Sequence, residues 1–149
     1  MIPRSEHPKP QFRRDSWMNL NGTWQFEIDQ GRSGQDRGLH LAQYSQEILV
    51  PFCPESDLSG IGHKDFLYGV WYQRSVTLTE AQCAGTVFLH FGAVDYRMKL
   101  WVNEQQAGAH TGGYSSFSFD ITKALKEGEN TITLGVWDHL RTGAQPGGK

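Results

Sequence analysis

The stretch TVFLHFGAVDYRMKLWV, residues 86–102, holds two runs in which every second side chain is apolar. The apolar positions are Val87, Leu89 and Phe91 in the first run and Met98, Leu100 and Val102 in the second. Trp101 falls on the opposite side of the second run. Because successive side chains of a β-strand point to opposite faces of a sheet, this period of two predicts half-buried strands over 86–91 and 97–102.

The same alternation recurs along the chain, over residues 23–29, 72–78, 117–121 and 131–136. Turn-forming residues separate the runs, as at Asn21-Gly22, Gly112-Gly113 and 127–130. Few apolar side chains occur in 30–46, which predicts a loop with room for a short helix, and 121–125 fits one helical turn. Many short strands with regular turns predict an all-β fold, an antiparallel β-sandwich or jelly roll.

Length and charge narrow the class of protein. A chain of 149 residues is the size of one domain, and a net charge of -2 argues against a nucleic-acid partner. The sequence has no run of about 18 apolar residues that would span a membrane, and residues 1–7 lack the apolar segment of a signal peptide. The predicted location is therefore the cytoplasm, where Cys53 and Cys83 are expected to be free thiols.

The residue types do not assemble a catalytic or metal site. A retaining glycosidase needs two carboxyl groups about 5 Å apart, and no such pair stands out among the acids. Asp120 fits a turn or capping role, and Glu27 and Asp29 fit the polar face of a strand. The six histidines are scattered without the short spacing of metal ligands. We therefore expect no catalytic residue, no metal and no cofactor in this chain.

Several strings, taken in order, resemble the amino-terminal sugar-binding domain of family 2 glycoside hydrolases, the group of β-galactosidases, β-glucuronidases and β-mannosidases. They are WMNLNGTWQF at 17–26, VPF at 50–52, WYQR at 71–74, HFGAVDY at 90–96, WVN at 101–103, HTGGYSSF at 110–117, FDIT at 119–122 and GEN at 128–130. The resemblance covers nearly the whole chain. The string PESDLSGIG at 54–62 is similar to a β-galactosidase-like bacterial branch.

This resemblance implies a galactose-binding-like jelly roll, with residues 1–149 as one domain. Residues 1–16 are then an amino-terminal extension, 141–149 are a truncated carboxy-terminal loop, and the final strand of the family's domain is missing. The family's two catalytic glutamates lie on a separate barrel, so no residue here inherits a catalytic role. The parent enzyme is expected to be a retaining β-galactosidase-like hydrolase, and this chain alone is expected to be inactive. Where the family usually has Asn-Gly, this chain has Asn103-Glu104, and a different turn type is expected.

The resemblance also points to residues that wall part of the parent's sugar pocket. Asp138 and His139, just after the last predicted strand, are similar in position to a pocket-approaching loop, with a plain turn as the alternative. Asp95 and Tyr96 are weaker candidates, because a loop anchor explains them equally well.

The expected partners are carbohydrate, the remaining domains of the parent enzyme, and a second copy that pairs through an open strand edge. Two other functions stay open at this point. One is an autonomous carbohydrate-binding module, and the other is a protein-interaction sandwich.

Overall fold

The computed structural model describes residues 1–139, and in that range the fold is built from eight strands. They are β1 Gly22–Ile28, β2 Gln46–Val50, β3 Gly69–Leu78, β4 Phe88–Phe91, β5 Arg97–Val102, β6 Gln105–Thr111, β7 Phe117–Asp120 and β8 Gly128–Trp137. The helical segments are one α-helical turn, α1 Glu80–Cys83, and 3-10 turns at Pro10–Phe12, Leu39–Leu41, Asp57–Ser59 and Thr122–Ala124. The predicted loop at 141–149 lies outside the described residues.

The strands form two antiparallel sheets. The larger has six strands in the order β2-β1-β3-β8-β5-β6, and the smaller pairs β4 with β7. Apolar side chains from both sheets meet between them, which confirms the prediction of an all-β sandwich. Met98, Leu100 and Val102 are fully buried in this core, as the alternation on β5 predicts.

A second apolar cluster lies on the other side of the large sheet. Trp71, Trp101 and Trp137 come from the adjacent strands β3, β5 and β8, so the predicted outward position of Trp101 is confirmed. The Trp71 and Trp101 ring centroids are 5.2 Å apart, and those of Trp71 and Trp137 are 5.7 Å apart with an edge-to-face angle of 87°. Gly135 lies beneath these rings, where a Cβ atom would be only 2.6 Å from Cη2 of Trp137.

The segment 30–45 joins β1 to β2 and covers this tryptophan cluster; we call it the crossing segment. Tyr44 packs against the rings, and its hydroxyl donates a hydrogen bond to the carbonyl of Leu39 at 2.8 Å. Burial, together with the charge of Glu27, raises the pKa of Tyr44, so the phenol stays protonated and remains a donor. The predicted loop over 30–46 ends in an additional strand, β2, because Ile48 is an inward residue that pairs beside Trp24 of β1.

The hairpin between β5 and β6 corrects one expectation. Asn103 has φ 48° and Glu104 has φ 73°, while Val102 pairs directly with Gln105. A two-residue hairpin with two positive φ angles is the type I′ turn that Asn-Gly also favours, so the expectation of a different turn type was wrong. The twist of the two strands requires this turn, and Glu104 adopts it although it has a Cβ atom.

Residues 1–16 lie outside both sheets. The side chain of Asn19 donates to the carbonyl of Arg4 at 2.9 Å, and that of Asn21 donates to the carbonyl of Pro3 at 3.1 Å. These bonds attach the amino-terminal residues to the start of β1. Elsewhere, Cys53 and Cys83 are both free thiols, as predicted.

Candidate functional site

Four strands of the large sheet end or begin at one end of the sandwich. Gly69, at the start of β3, pairs with Trp137, at the end of β8, and Trp137 also pairs with Arg97, at the start of β5. Arg97 pairs in turn with Thr111, the last residue of β6. The chain segments that precede or follow these residues therefore meet at the same end, which we call the loop end.

All four sequence-predicted wall residues lie at the loop end. Asp138 and His139 follow β8 directly, and Tyr96 immediately precedes Arg97 of β5. Because Arg97 and Trp137 are paired, Tyr96 and Asp138 adjoin neighbouring strands at the same end of the sheet. The structure thus brings together two pairs of residues that are about forty positions apart in the chain.

The Asp138-His139 pair is attached to two other segments of the loop end. The backbone N–H of Asp138 donates to the carbonyl of Tyr68 at 3.2 Å. The ring of His139 lies against the guanidinium of Arg32, with Nη1 2.6 Å from Nδ1 and 3.1 Å from Nε2. Arginine only donates and a neutral imidazole has a single acceptor nitrogen, so at most one of these two ring nitrogens accepts from Nη1.

The Asp95-Tyr96 pair is held by the turn that follows β6. The backbone N–H of Gly112 donates to the carbonyl of Tyr96 at 2.8 Å. A Cβ atom on Gly113 would be 2.8 Å from the carboxyl carbon of Asp95, so these two segments pack together only because residue 113 is glycine. The peptide bond between Asp95 and Tyr96 is cis. Both side chains are half-buried, so a loop-anchor role and a wall role are both compatible with the geometry.

Asp29 organises the start of the crossing segment, at the same end. Its Oδ2 accepts from Gly34 N at 2.7 Å and from Trp71 Nε1 at 3.2 Å. Its Oδ1 accepts from Ser33 N at 3.2 Å and from Arg37 Nη2 at 3.1 Å. Burial alone would raise the pKa of Asp29, but these four hydrogen bonds outweigh it and hold the pKa below its usual value.

The assignment of Asp29 to the polar face of a strand was wrong. Asp29 follows β1, and only 2% of its surface is exposed. The period-two pattern placed it outward because that pattern describes one strand and contains no information about a loop that folds back. The run of Gly31, Ser33 and Gly34 just after an aspartate is the local signal for a carboxylate-capped loop.

Arg32, which sequence reasoning did not single out, lies within this loop. Its backbone has φ 54°, in the left-handed region, and its N–H donates to the carbonyl of Asp29 at 3.0 Å. Few residues other than glycine, asparagine and aspartate adopt this conformation. The bonds from Ser33 and Gly34 to the Asp29 carboxylate close the loop on the far side of Arg32 and hold it in place.

Two shallow grooves lie away from the four wall candidates. One, of about 360 Å³, lies beside β2, and one of about 370 Å³ lies between the start of β6 and the end of β7. The second contains Asp120, whose Oδ1 accepts from the hydroxyl and the N–H of Thr122 at 2.6 and 3.0 Å. These two bonds lower the pKa of Asp120 and confirm its predicted turn role.

Within residues 1–139, no three His, Cys, Asp or Glu side chains are grouped so that they could hold a metal ion. No helix in that part of the chain is both long and apolar enough to cross a membrane.

Comparison with known proteins supplies independent information. The sequence model described as "Glycosyl hydrolases family 2, sugar binding domain" matches residues 63–144. The β-glucuronidase of Paenibacillus borealis is 26% identical over 145 residues, which are 95% of this chain and 24% of that protein. The β-galactosidase of Thermoanaerobacter pseudethanolicus is 36% identical over 75 residues, which are 49% of this chain and 10% of that protein.

A solved structure shares the fold. The Lactobacillus rhamnosus β-glucuronidase superposes with a TM-score of 0.73 at 28% identity, over 81% of this chain and 21% of that one. The chain spans less than a quarter of the length of the curated relatives that it matches, namely 16%, 12% and 24% of three β-glucuronidases, two of which are described as putative.

Proposed function

The chain belongs to the sugar-binding domain of glycosyl hydrolases family 2, and from that premise we propose that it is the non-catalytic, substrate-positioning domain of a larger retaining glycoside hydrolase. The proposed substrates of that enzyme are β-glucuronides or β-galactosides. The proposed role of this domain is to wall part of the sugar pocket with Asp138, His139, Asp95 and Tyr96. The remaining domains of the same enzyme supply the reacting carboxyl groups.

One observation carries this proposal. The turn after β6, Asp138 and His139 after β8, and the segments before β3 and β5 all lie at the loop end, so that half-buried polar side chains from distant parts of the chain lie at one end of the sandwich. A surface made from several loops on a rigid sheet is suited to contact a ligand, because the sheet holds the loops in fixed relative positions. The names of the relatives support the sugar class, and β-glucuronidases are more frequent among them than β-galactosidases.

The wall role has a physical basis in how enzymes use binding energy. Contacts with parts of the sugar remote from the scissile bond restrict its motion and orient it toward the reacting groups. Carboxylates such as Asp138 and Asp95 accept hydrogen bonds from sugar hydroxyls, and such contacts need no change in protonation during the reaction. A domain of this kind increases turnover only when it is part of the complete enzyme.

Hydrolysis assays test the non-catalytic role. We expect the purified 149-residue chain to release no p-nitrophenol from p-nitrophenyl β-D-glucuronide or p-nitrophenyl β-D-galactoside above the buffer rate. A complete family 2 β-glucuronidase serves as the positive control. Turnover that co-purifies with the chain and withstands a further purification step would refute the proposal.

Calorimetric titration separates this role from that of an autonomous carbohydrate-binding module. Half of a pocket offers few contacts, so we expect dissociation constants in the millimolar range or weaker for glucuronate, galactose and β-linked oligosaccharides. Micromolar binding of any of these would favour the module instead. The cytoplasmic location stays a prediction from the sequence.

A further inference from the structure

The outer face of the small sheet carries a pair of exposed aromatic rings. Phe88 and His90 are two positions apart on β4 and point to the same side, while Leu89 between them is buried in the core. The Phe88 side chain is 48% exposed. Its ring centroid lies 6.2 Å from that of His90, and the two ring planes are inclined by only 27°. We call Phe88 and His90 the aromatic platform.

Polar side chains whose positions are fixed by hydrogen bonds border this platform. Phe88 is paired with Asp120 of β7, and His90 is paired with Ser118, so each pair shares the outer face with Cβ atoms about 5 Å apart. The side chains of His90 and Ser118 are hydrogen-bonded to each other. The Asp120 carboxylate is held by the hydroxyl and the N–H of Thr122. The exposed phenyl ring therefore lies beside polar groups that are already oriented.

Asp120 also lines the groove of about 370 Å³ between β6 and β7, which we call the seam groove. The other lining residues are the apolar Ala107, Ile121 and Ala124, which are buried or half-buried, and the polar Gln105, Gln106 and Lys123, which are exposed. An apolar interior with a few polar groups is the composition typical of a small-molecule site. The seam groove and the aromatic platform are therefore adjacent parts of one surface.

Two local features of β6 shape the seam groove. The pairing of β6 with β5 shifts by one residue, so that Ala107 has no partner between Gln106 and Gly108. Such a bulge bends the strand and changes the direction of the side chains next to it. One residue further along β6, Gly108 packs directly on the Phe119 ring, where a Cβ atom would overlap the ring. That contact closes the seam between the sheets on the side of the loop end.

The chemistry of this surface matches a neutral sugar. A pyranose ring has a face of C–H groups that packs on an aromatic ring, and an edge of hydroxyl groups that both donate and accept. The amides of Gln105 and Gln106 and the carboxylate of Asp120 suit those hydroxyl groups. Asp120 and Lys123 carry opposite charges, so these two residues add no net charge that would favour an ionic ligand.

A protein partner fits this surface poorly. Apart from Phe88, the residues on the outer face of β4 and β7 are the polar His90, Ser118 and Asp120. The apolar area is thus about one phenyl ring, whereas a specific protein interface buries about 800 Å² on each partner. A second copy that adds a strand would bond along the edge of β4 and would not need the Phe88 ring.

We propose that the aromatic platform and the seam groove together bind a neutral β-linked oligosaccharide, with one sugar unit on Phe88 and another in the groove. The equatorial β-linkage keeps successive sugar rings nearly in line, so that one chain reaches both parts. Gln105 begins β6 and Asp120 ends β7, which places this site at the end of the sandwich opposite the loop end. It therefore does not depend on the proposed role of the wall residues.

Nuclear magnetic resonance titration of the 149-residue chain, at constant protein concentration, tests the site with cellotetraose as the probe. We expect the ring resonances of Phe88 and the side-chain amides of Gln105 and Gln106 to shift with a millimolar dissociation constant. Maltotetraose, the α-linked isomer, should bind at least about tenfold more weakly. Phe88→Ala should weaken cellotetraose binding at least about tenfold, while Phe12→Ala, at an exposed phenylalanine elsewhere, should leave it unchanged.

Two further variants separate stacking from folding. Phe88→Trp keeps an aromatic face and should retain or increase the affinity, whereas Phe88→Leu keeps an apolar side chain and should lose it to the same extent as Phe88→Ala. Melting temperatures of all variants show which of them are folded. Parent-like affinity in Phe88→Leu would overturn the proposal, because burial of apolar area and not ring stacking would then explain the binding.

The location of the shifts gives the final criterion. Shifts confined to Tyr96 and Asp138 at the loop end would overturn this site and support the wall role instead. An absence of shifts at Phe88 with about 20 mM cellotetraose, well above the expected millimolar range, would also overturn it.

Discussion

Replacing Asp29 by asparagine should destabilise the domain by about 3 kcal/mol. The Asp29 carboxylate accepts from two fully buried donors, Gly34 N and Trp71 Nε1, through one oxygen, and from Ser33 and Arg37 through the other. Asparagine retains one acceptor oxygen and turns an NH₂ group toward the remaining donors. A buried donor that loses its acceptor costs roughly 1–3 kcal/mol, and two such donors are at risk.

The ion pair with Arg37 contributes little to this sum. The Arg37 side chain is 54% exposed, and exposed pairs contribute under about 1 kcal/mol. For a domain of this size, a loss of about 3 kcal/mol lowers the melting temperature by about 9 °C. Urea unfolding followed by tryptophan fluorescence measures the change directly, because Trp71, Trp101 and Trp137 lie beneath the crossing segment that Asp29 holds.

The dependence on pH gives a second, independent result. The pKa of Asp29 is lower in the folded chain than its ordinary value of 3.8, so its ionised form stabilises the fold above about pH 4. That contribution is lost as the pH falls through the lowered pKa. The difference in stability between the parent chain and Asp29→Asn should therefore narrow below about pH 4.

Asp36→Asn, an exposed change in the same loop, is the control and should cost under about 0.5 kcal/mol. A cost for Asp29→Asn that equals the control, or that does not change with pH, would refute the reasoning.

Two further perturbations test the hairpin and the small sheet. Glu104→Gly should stabilise the fold by about 0.5–1 kcal/mol in urea unfolding, because glycine accommodates the positive φ of the type I′ turn. Glu127→Gly, at an exposed position without positive φ, is the control and should not stabilise the fold. Equal effects of the two substitutions would contradict this explanation. The chain should self-associate in analytical ultracentrifugation through the open edge of β4. Residues along β4 alternate between those that bond to β7 and those that do not, so the N–H groups of Phe88 and His90 point away from β7. Residues 1–139 supply no second strand partner on that side of β4. His90→Pro should reduce the associated fraction, and a parent chain that stays monomeric at millimolar concentration would rule out this edge as an interface.

Most of the strand pattern could be predicted, but several boundaries and one strand could not. The run at 97–102 matches β5 residue for residue, whereas the run at 86–91 overestimates β4 by two residues at its start. The sequence does not mark β2, since Gln46 and Glu47 interrupt its apolar pattern. β2 is an edge strand, and its position depends on pairing with β1 rather than on its own periodicity.

At the loop end, too, some residues could be named from the sequence and others only from the structure. Asp138, His139, Asp95 and Tyr96 came from family resemblance, and their role in a sugar pocket stays a prediction. Arg32 was not anticipated, because an arginine in a polar loop has no periodicity or motif that distinguishes it. Its contact with His139 joins residues that are 107 positions apart.

The alternation of side chains was sufficient to establish that this chain is an antiparallel sandwich and that Met98, Leu100 and Val102 point inward while Trp101 points outward. That information is local, because the period of two follows from the geometry of a single extended strand. Tertiary structure alone decided that Asp29 is buried, that the tryptophans of three strands pack under one crossing segment, and that Arg32 meets His139. Each of these depends on where a loop folds back over the sheet, and the free energy of that placement comes from contacts between residues distant in the chain.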